Sequence, residues 1–239
     1  MSASAAKILR FDEVSSTLDV AHELAAGGAD AGTVIVADAQ TAGRGRMGRS
    51  WRSERGAGIW LTLIERPPDA SALDVLSLRT GLALAPALDA FASARVALKW
   101  PNDLYVSGRK LAGILIEARW RESRPDWVAI GVGINLRPPA SEPNAIGLRG
   151  GVSADDVLAS ILEPMRQAAA RSGPLSDDER AAFAARDLAR GRRCVEPVAG
   201  LVRGIDASGA LLVDIISPAT PAHVTTTAVR VGSLVLEDS

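Results

Sequence analysis

Hydrophobic positions divide this chain into short strand-like and helix-like runs that alternate as far as residue 190. Residues 8–14 (ILRFDEV) read as a strand. Ser16 or Thr17 then caps a helix running to about Ala26, and Gly27 and Gly28 end it. Thr33–Ala37 is a run rich in β-branched residues and reads as a strand. Ile59–Glu65 is another, stopped by Pro67 and Pro68. Ala72–Phe91 carries Leu73, Leu76, Leu82, Leu84 and Leu88 mostly on one side, which predicts a helix that Pro86 should kink. Val96–Lys99, Leu104–Val106, Lys110–Glu117 and Trp127–Asn135 read as strands, with Ser107 and Gly108 turning a hairpin. Helices are expected at about Ala154–Ala170 and Ser176–Ala189, beyond a Pro-rich loop from Arg137 to Pro143.

After Arg190 the helical period disappears. Val195–Val202, Leu211–Ile216 and Val224–Val235 read as short strands between glycine turns. The pattern therefore predicts an α/β (α+β) unit over residues 1–190, with strands flanked by helices, and a small all-β unit over 191–239.

Composition narrows the function classes. The chain of 239 residues is 47% hydrophobic and 23% charged, ordinary for a globular protein. Its formal net charge of -1 gives no global attraction to nucleic acid or to a membrane. The single cysteine, Cys194, excludes an intrachain disulfide and a thiolate zinc site. The two histidines, His22 and His223, support neither a His-based metal site nor a Ser-His-Asp triad. No signal peptide is visible, and the longest apolar stretch, Leu82–Ala94, is interrupted by Pro86 and Asp89. The expected compartment is the cytoplasm.

Four segments carry candidate chemistry. The polar stretch from about Gln40 to Gly56 is longer than most loops of compact domains. It holds Gly43-Arg44-Gly45-Arg46-Met47-Gly48-Arg49-Ser50-Trp51. Formally this contains a Gly-x-Gly-x-x-Gly fingerprint, but no helical period follows to hold a pyrophosphate. The physical alternative rests on Arg44, Arg46, Arg49 and Arg52, whose rigid forks suit phosphate or carboxylate oxygens, and on Trp51, which suits a flat ring. A solvated basic loop touching nucleic acid is the competing reading. Lys99-Trp100-Pro101-Asn102-Asp103-Leu104-Tyr105 puts a lysine and an Asn-Asp pair at a strand end, a place for a ligand crevice or a plain turn. In Lys110–Glu117, strand alternation puts Lys110 with Ala112, Ile114 and Ile116, opposite Gly113, Leu115 and Glu117. Gly131 and Gly133 alternate on one strand face and leave a flat groove, or a seat for a packed helix.

Taken together and in order, Ser16-Thr17, Gln40 with Gly43-Arg44-Gly45-Arg46, Lys99-Trp100-Pro101-Asn102-Asp103, Lys110-Leu111-Ala112-Gly113-Ile114-Leu115 and Gly131-Val132-Gly133-Ile134-Asn135 resemble the biotin protein ligase family. Gly191-Arg192, Arg203-Gly204-Ile205-Asp206 and Gly209-Ala210-Leu211-Leu212 look like that family's SH3-like barrel. The resemblance implies a mixed sheet flanked by helices, related to class II aminoacyl-tRNA synthetases, with the small barrel appended. It implies a monofunctional form, since few residues precede the first strand and leave no room for an N-terminal DNA-binding domain.

It also implies substrates and roles. Biotin and ATP, with Mg²⁺ as activator, would form biotinyl-5'-AMP. The biotin would then pass to a lysine on the biotin carboxyl carrier domain of an acyl-CoA or pyruvate carboxylase, with no DNA or membrane partner and no metal held by the protein. By resemblance, Ser16, Thr17, Gln40, Gly43, Arg44, Lys110, Gly113, Leu115, Gly131 and Gly133 are biotin-binding. Arg44, Arg46, Arg49, Trp51, Lys99, Asn102, Asn135 and Arg230 are adenylate-binding. Lys110, Arg44 and Asp103 are catalytic, with Asp103 deprotonating or orienting the acceptor amine. Leu18 stands where the family usually has Asn. A lipoate or octanoate attachment enzyme, a nucleic-acid-binding module and a docking protein without catalysis are the alternatives.

Overall fold

The computed structural model describes residues 7–139, 141–216 and 224–237. His223 lies outside the described residues. The chain begins with β1 (Ile8–Val14) and α1 (Thr17–Ala26). Ser16 caps α1 by accepting from the Leu18 amide, and Asp19 in the first turn complements the helix dipole. β2 (Val34–Gln40) and β3 (Gly58–Glu65) follow, with residues 41–57 between them. α2 (Leu76–Asp89) begins after a short helical turn at Ala70–Ala72 and keeps Pro86 within its span.

β4 (Ala97–Lys99), β5 (Asp103–Val106), β6 (Arg109–Arg121) and β7 (Arg124–Asn135) then form an antiparallel ribbon. The predicted Ser107-Gly108 turn is present, with φ of 49° and 74° that match the strand twist of a two-residue hairpin. α3 (Ala154–Ala169) and α4 (Asp177–Ala184) complete this part, and Ser176 and Glu179 form a capping box on α4.

The seven-stranded sheet has the order β1-β2-β3-β7-β6-β5-β4. Only β1 and β2 run parallel. Alternation along each strand gives the sheet two different faces. Val34, Val36, Leu61, Leu63, Val128 and Ile130 point into a core shared with α2 and α3. Ile35, Ile64 and Ala129 point the other way, where α1 covers them with Leu18, Ala21 and Ala25.

A second, five-stranded antiparallel sheet follows, in the order β11-β10-β9-β8-β12. Its strands are β8 (Arg193–Glu196), β9 (Gly200–Ile205), β10 (Leu211–Ile216), β11 (Val224–Val229) and β12 (Val235–Leu236). Two of the predicted strands thus divide, at Pro197 and beyond Val229, where proline and glycine interrupt the ladder. The sheet shares the α2 core through Val202, Leu211, Val213 and Leu234. The Trp100 indole also donates to the carbonyl of Gly209 across the two sheets at 2.9 Å.

Candidate functional site

A cavity of about 320 Å³ opens on the α1 face of the large sheet, within the size range of small-molecule sites. Its floor follows from strand register. Trp60, Gly133, Gly113 and Asp103 stand side by side across β3, β7, β6 and β5, and Thr62, Gly131 and Leu115 form the next row. A Cβ on Gly133 would lie 2.5 Å from the Trp51 Nε1, and one on Gly113 would lie 3.0 Å from the same indole. The two glycines therefore let Trp51 lie against the sheet, where it meets Trp60 edge-on at 6.5 Å. Leu18 occupies the equivalent place over Gly131.

One end of the cavity is polar and rigid. Gln40 Oε1 accepts from the Thr17 amide at 2.8 Å and from its hydroxyl at 3.2 Å, while Gln40 Nε2 donates to Ser53 Oγ at 2.7 Å. Thr62 Oγ1 in turn donates to Thr17 Oγ1 at 2.8 Å. These groups are buried or half-buried and hydrogen-bonded to one another, so their orientation is set before any ligand arrives.

The other end is cationic. Lys110 Nζ lies 2.7 Å from Asp103 Oδ1 and 5.1 Å from the centre of the Trp51 ring. Lys99 lies over the Tyr105 ring at 5.3 Å. Burial, reinforced by Lys110, Arg192 and Arg49, lowers the Lys99 pKa against the opposing pull of Asp103. Burial and then Asp103 push the Tyr105 hydroxyl up to about 12. Asn102 is tied to β6 by its Nδ2 donating to the Ile114 carbonyl at 2.7 Å.

The sequence expectation for Lys110 needs correction. Simple alternation puts its side chain with Ala112 and Ile114, which face the α2 core. In the structure Tyr105 pairs with Lys110 and Leu104 with Ala112, so Leu111 is an extra residue in the ladder. This bulge turns Lys110 onto the same face as Gly113, into the cavity, and sends Leu111 into the core.

The arginine segment is more ordered than a structureless loop. Bridges pair Gln40 with Ser53 and Arg44 with Ser50, and the Gly45 amide donates to the Arg49 carbonyl at 2.7 Å. A turn at Arg46–Gly48 stands where a dinucleotide site needs a helix. Arg44 reaches Asp19 at 2.6 Å and Glu117 at 3.4 Å. Against the cost of burial, these carboxylates hold the Arg44 pKa above its ordinary value. Arg46 donates to Asn102 Oδ1 and to the Gly232 carbonyl, each at 3.4 Å, and Arg49 to Ser233 Oγ at 3.4 Å.

Among the predicted site residues, Ser16, Thr17, Gln40, Arg44, Arg46, Arg49, Trp51, Lys99, Asn102, Asp103, Lys110, Gly113, Leu115, Gly131 and Gly133 line this cavity. Gly43, Asn135 and Arg230 do not. Gly43 sits behind it, where a Cβ would strike the Trp51 carbonyl at 2.5 Å. Asn135 is buried, with Nδ2 donating to the Lys110 carbonyl at 3.4 Å. Arg230 is exposed. The sequence gives Tyr105 a place in the Lys99 segment but no role, and it carries no signal for Trp60 or Ser233–Val235; Tyr105 and Ser233–Val235 also line the cavity. Tyr105 follows the Asn-Asp pair by two residues, but nothing in the 231–235 segment signals that it returns to the arginines.

Residues 11–135 match the Biotin/lipoate A/B protein ligase family. The chain is 37% identical over 210 residues to the biotin–[acetyl-CoA-carboxylase] ligase of Mycobacterium tuberculosis, covering 80% of this chain and 77% of that one. This chain belongs to the biotin/lipoate A/B protein ligase family. The bifunctional ligase/repressor BirA of Bacillus spizizenii is 44% identical over 132 residues, which span 55% of this chain but only 41% of that protein. The biotin protein ligase of Aquifex aeolicus, solved with biotin and ATP, shares the fold with a TM-score of 0.77 over 98% of this chain and 99% of that one, at 24% identity. Membership places the cavity within the matched region, apart from its Ser233–Val235 wall.

Proposed function

We propose that this chain is an ATP-dependent biotin protein ligase. The observation that carries the reading is one cavity with a preset hydrogen-bonding end and a lysine- and arginine-lined end, joined by a glycine floor. Biotin has a hydrogen-bonding ring at one end and a carboxylate at the other, and the cavity matches that order. In this reading Ser16, Thr17 and Gln40 hold the ring, while Gly113, Leu115, Gly131 and Gly133 accommodate the apolar body. Leu18 supplies an apolar wall over Gly131. Arg44, Arg46, Arg49, Lys99 and Lys110 neutralise the carboxylate and the phosphates, and Trp51 and Asn102 shape the nucleotide side. Residues 1–190 would carry the chemistry, and 191–239 would close the cavity through Ser233–Val235.

Two steps follow. A biotin carboxylate oxygen attacks the α-phosphorus of ATP, the bond to the bridging oxygen breaks, and pyrophosphate leaves. The carboxylate is ionised at neutral pH, so the protein supplies alignment and charge rather than a base. The amine of an acceptor lysine then attacks the biotinyl carbonyl, AMP leaves, and the amine loses a proton. That proton passes to bulk water, since Asp103 Oδ1 already lies 2.7 Å from Lys110 Nζ. We assign Asp103 instead to aiming Lys110. Water exclusion from the anhydride falls to the arginine segment latched onto Gly232 and Ser233.

The donor set does not build a Mg²⁺ cage. Among the described residues no group of three His, Cys, Asp or Glu side chains converges, and Asp103 is the cavity's one carboxylate. A Mg²⁺ ion would come with the ATP phosphates and would neutralise part of their charge. The acceptor in this reading is the biotin carboxyl carrier domain of a carboxylase, in the cytoplasm. No helix of the described residues is long and apolar enough to cross a membrane. Arg44, Arg46 and Arg49 converge on one small-molecule cavity, which argues against an open basic stripe for nucleic acid.

The family name covers two acids, so acid identity is the point to test. ATP–pyrophosphate exchange with biotin, lipoate and octanoate should show exchange with biotin alone. Exchange with lipoate or octanoate instead would reassign the cavity and leave the adenylation chemistry.

A further inference from the structure

Beside the cavity, on the same sheet face, Trp127, His22 and Glu117 form a half-buried polar chain that the proposed chemistry does not use and that ends on Arg44. Trp127 Nε1 lies 3.0 Å from His22 Nδ1, and His22 Nε2 lies 2.9 Å from Glu117 Oε2. Glu117 also accepts from one Arg44 nitrogen, Nη2, which lies 3.4 Å from Oε1 and 3.5 Å from Oε2. On its other side Arg44 Nη1 donates to Asp19 Oδ1 at 2.6 Å, and Ser15 Oγ donates to Asp19 Oδ2 at 2.9 Å.

The direction of each bond is fixed by chemistry. An indole N–H only donates, so His22 Nδ1 must accept and carries no proton. The ring proton of a neutral His22 then sits on Nε2 and points at Glu117. A carboxylate only accepts, so Glu117 takes one donor from His22 and another from Arg44. The order is therefore Trp127 to His22 to Glu117, with Arg44 donating to Glu117 from the far side.

We infer that His22 is a positioning residue for Arg44, acting through Glu117 and held in one tautomer by Trp127. The arginine is presented to the cavity with its fork already set between two carboxylates, which lowers the ordering cost of ligand capture. The inference rests on the proposed role of Arg44 in binding the acid or its adenylate, but its first test does not.

That first test is long-range ¹H–¹⁵N correlation of the histidine rings in the ligand-free protein at neutral pH. The chain has two histidines, and His22→Phe identifies which signals belong to His22. The proton is expected on Nε2, and a proton on Nδ1 would overturn the inference. The second test separates positioning from packing. Glu117→Gln should raise the biotin KM in pyrophosphate exchange about tenfold, as expected for one charge-assisted bond, with kcat within about threefold. In that variant, an amide oxygen turned toward Arg44 leaves the amide NH₂ facing the proton on His22. Adding Trp127→Phe frees Nδ1 to take that proton, so the double variant should recover most of the lost KM. Losses that simply multiply in the double variant would refute the positioning role. Absence of biotin-dependent exchange in the unsubstituted protein would refute the ligase reading and leave the tautomer result standing on its own.

Discussion

The two faces of the large sheet are built from the same strands by opposite rules. The α2 face is filled by Val, Leu and Ile side chains, and its buried arginine is paired: Arg79 Nε meets Glu179 Oε1 at 2.9 Å and its Nη2 donates to the Pro174 carbonyl at 2.8 Å. The α1 face keeps glycines where side chains would fill space, and leaves the buried indole nitrogens of Trp51 and Trp60 without a hydrogen-bond partner. A face that is filled resists unfolding. A face left incomplete is available for a ligand. Substitutions on the first should therefore read out as stability, and on the second as binding and chemistry.

The largest expected effect sharpens that contrast from the ligand side. Lys110→Ala should lower pyrophosphate exchange by about 10²–10³-fold with little change in melting temperature, since it removes one cation from the reacting phosphate. On the opposite face, Arg79→Met should cost about 3 kcal/mol in denaturant unfolding, because Glu179 loses its closest cation and keeps only Arg171 at 3.4 Å and the Ser176 amide at 2.8 Å. Exchange by the molecules that remain folded should be unchanged. Gly133→Ala is intermediate: the Trp51 ring must shift, so biotin binding should weaken about tenfold or more in calorimetry while strand pairing survives.

A smaller effect concerns pH. Although burial pushes the other way, Arg79, the Ser176 amide and Arg171 hold the Glu179 pKa below its usual 4.5. A depressed folded pKa means that the unfolded chain binds the proton first. The stabilisation is then complete above about pH 4.5 and is lost as pH falls from there through the folded value. The stability gap between the unsubstituted protein and Glu179→Gln should therefore narrow below pH 4.5 and stay constant above it. A gap that widened there would reverse the sign of this account.

Legibility in the sequence followed the same division. Helix caps at Ser16 and Ser176, the β-branched strands and the Ser107-Gly108 turn are local signals, and the elements appeared where those signals stood. Most candidate site residues were also readable, because motif spacing survives folding. Periodicity puts Lys110 on the wrong face because a bulge at Leu111 costs one residue of register, which alternation does not detect. The Arg79–Glu179 pair joins residues 100 apart, and the Arg46–Gly232 contact joins residues 186 apart. No local pattern predicts either. The His22 contacts are illegible for the same reason, since its partners stand on β6 and β7.

The most direct test sets the two faces side by side in one assay. Biotin-dependent ATP–pyrophosphate exchange would be measured for the unsubstituted protein, Lys110→Ala and Arg79→Met at a temperature where all three are folded. The account predicts exchange by the first and third and a loss of about 10²–10³-fold in the second. Exchange by Lys110→Ala at the unsubstituted rate would contradict it, because the reacting phosphate would then lie elsewhere than in this cavity.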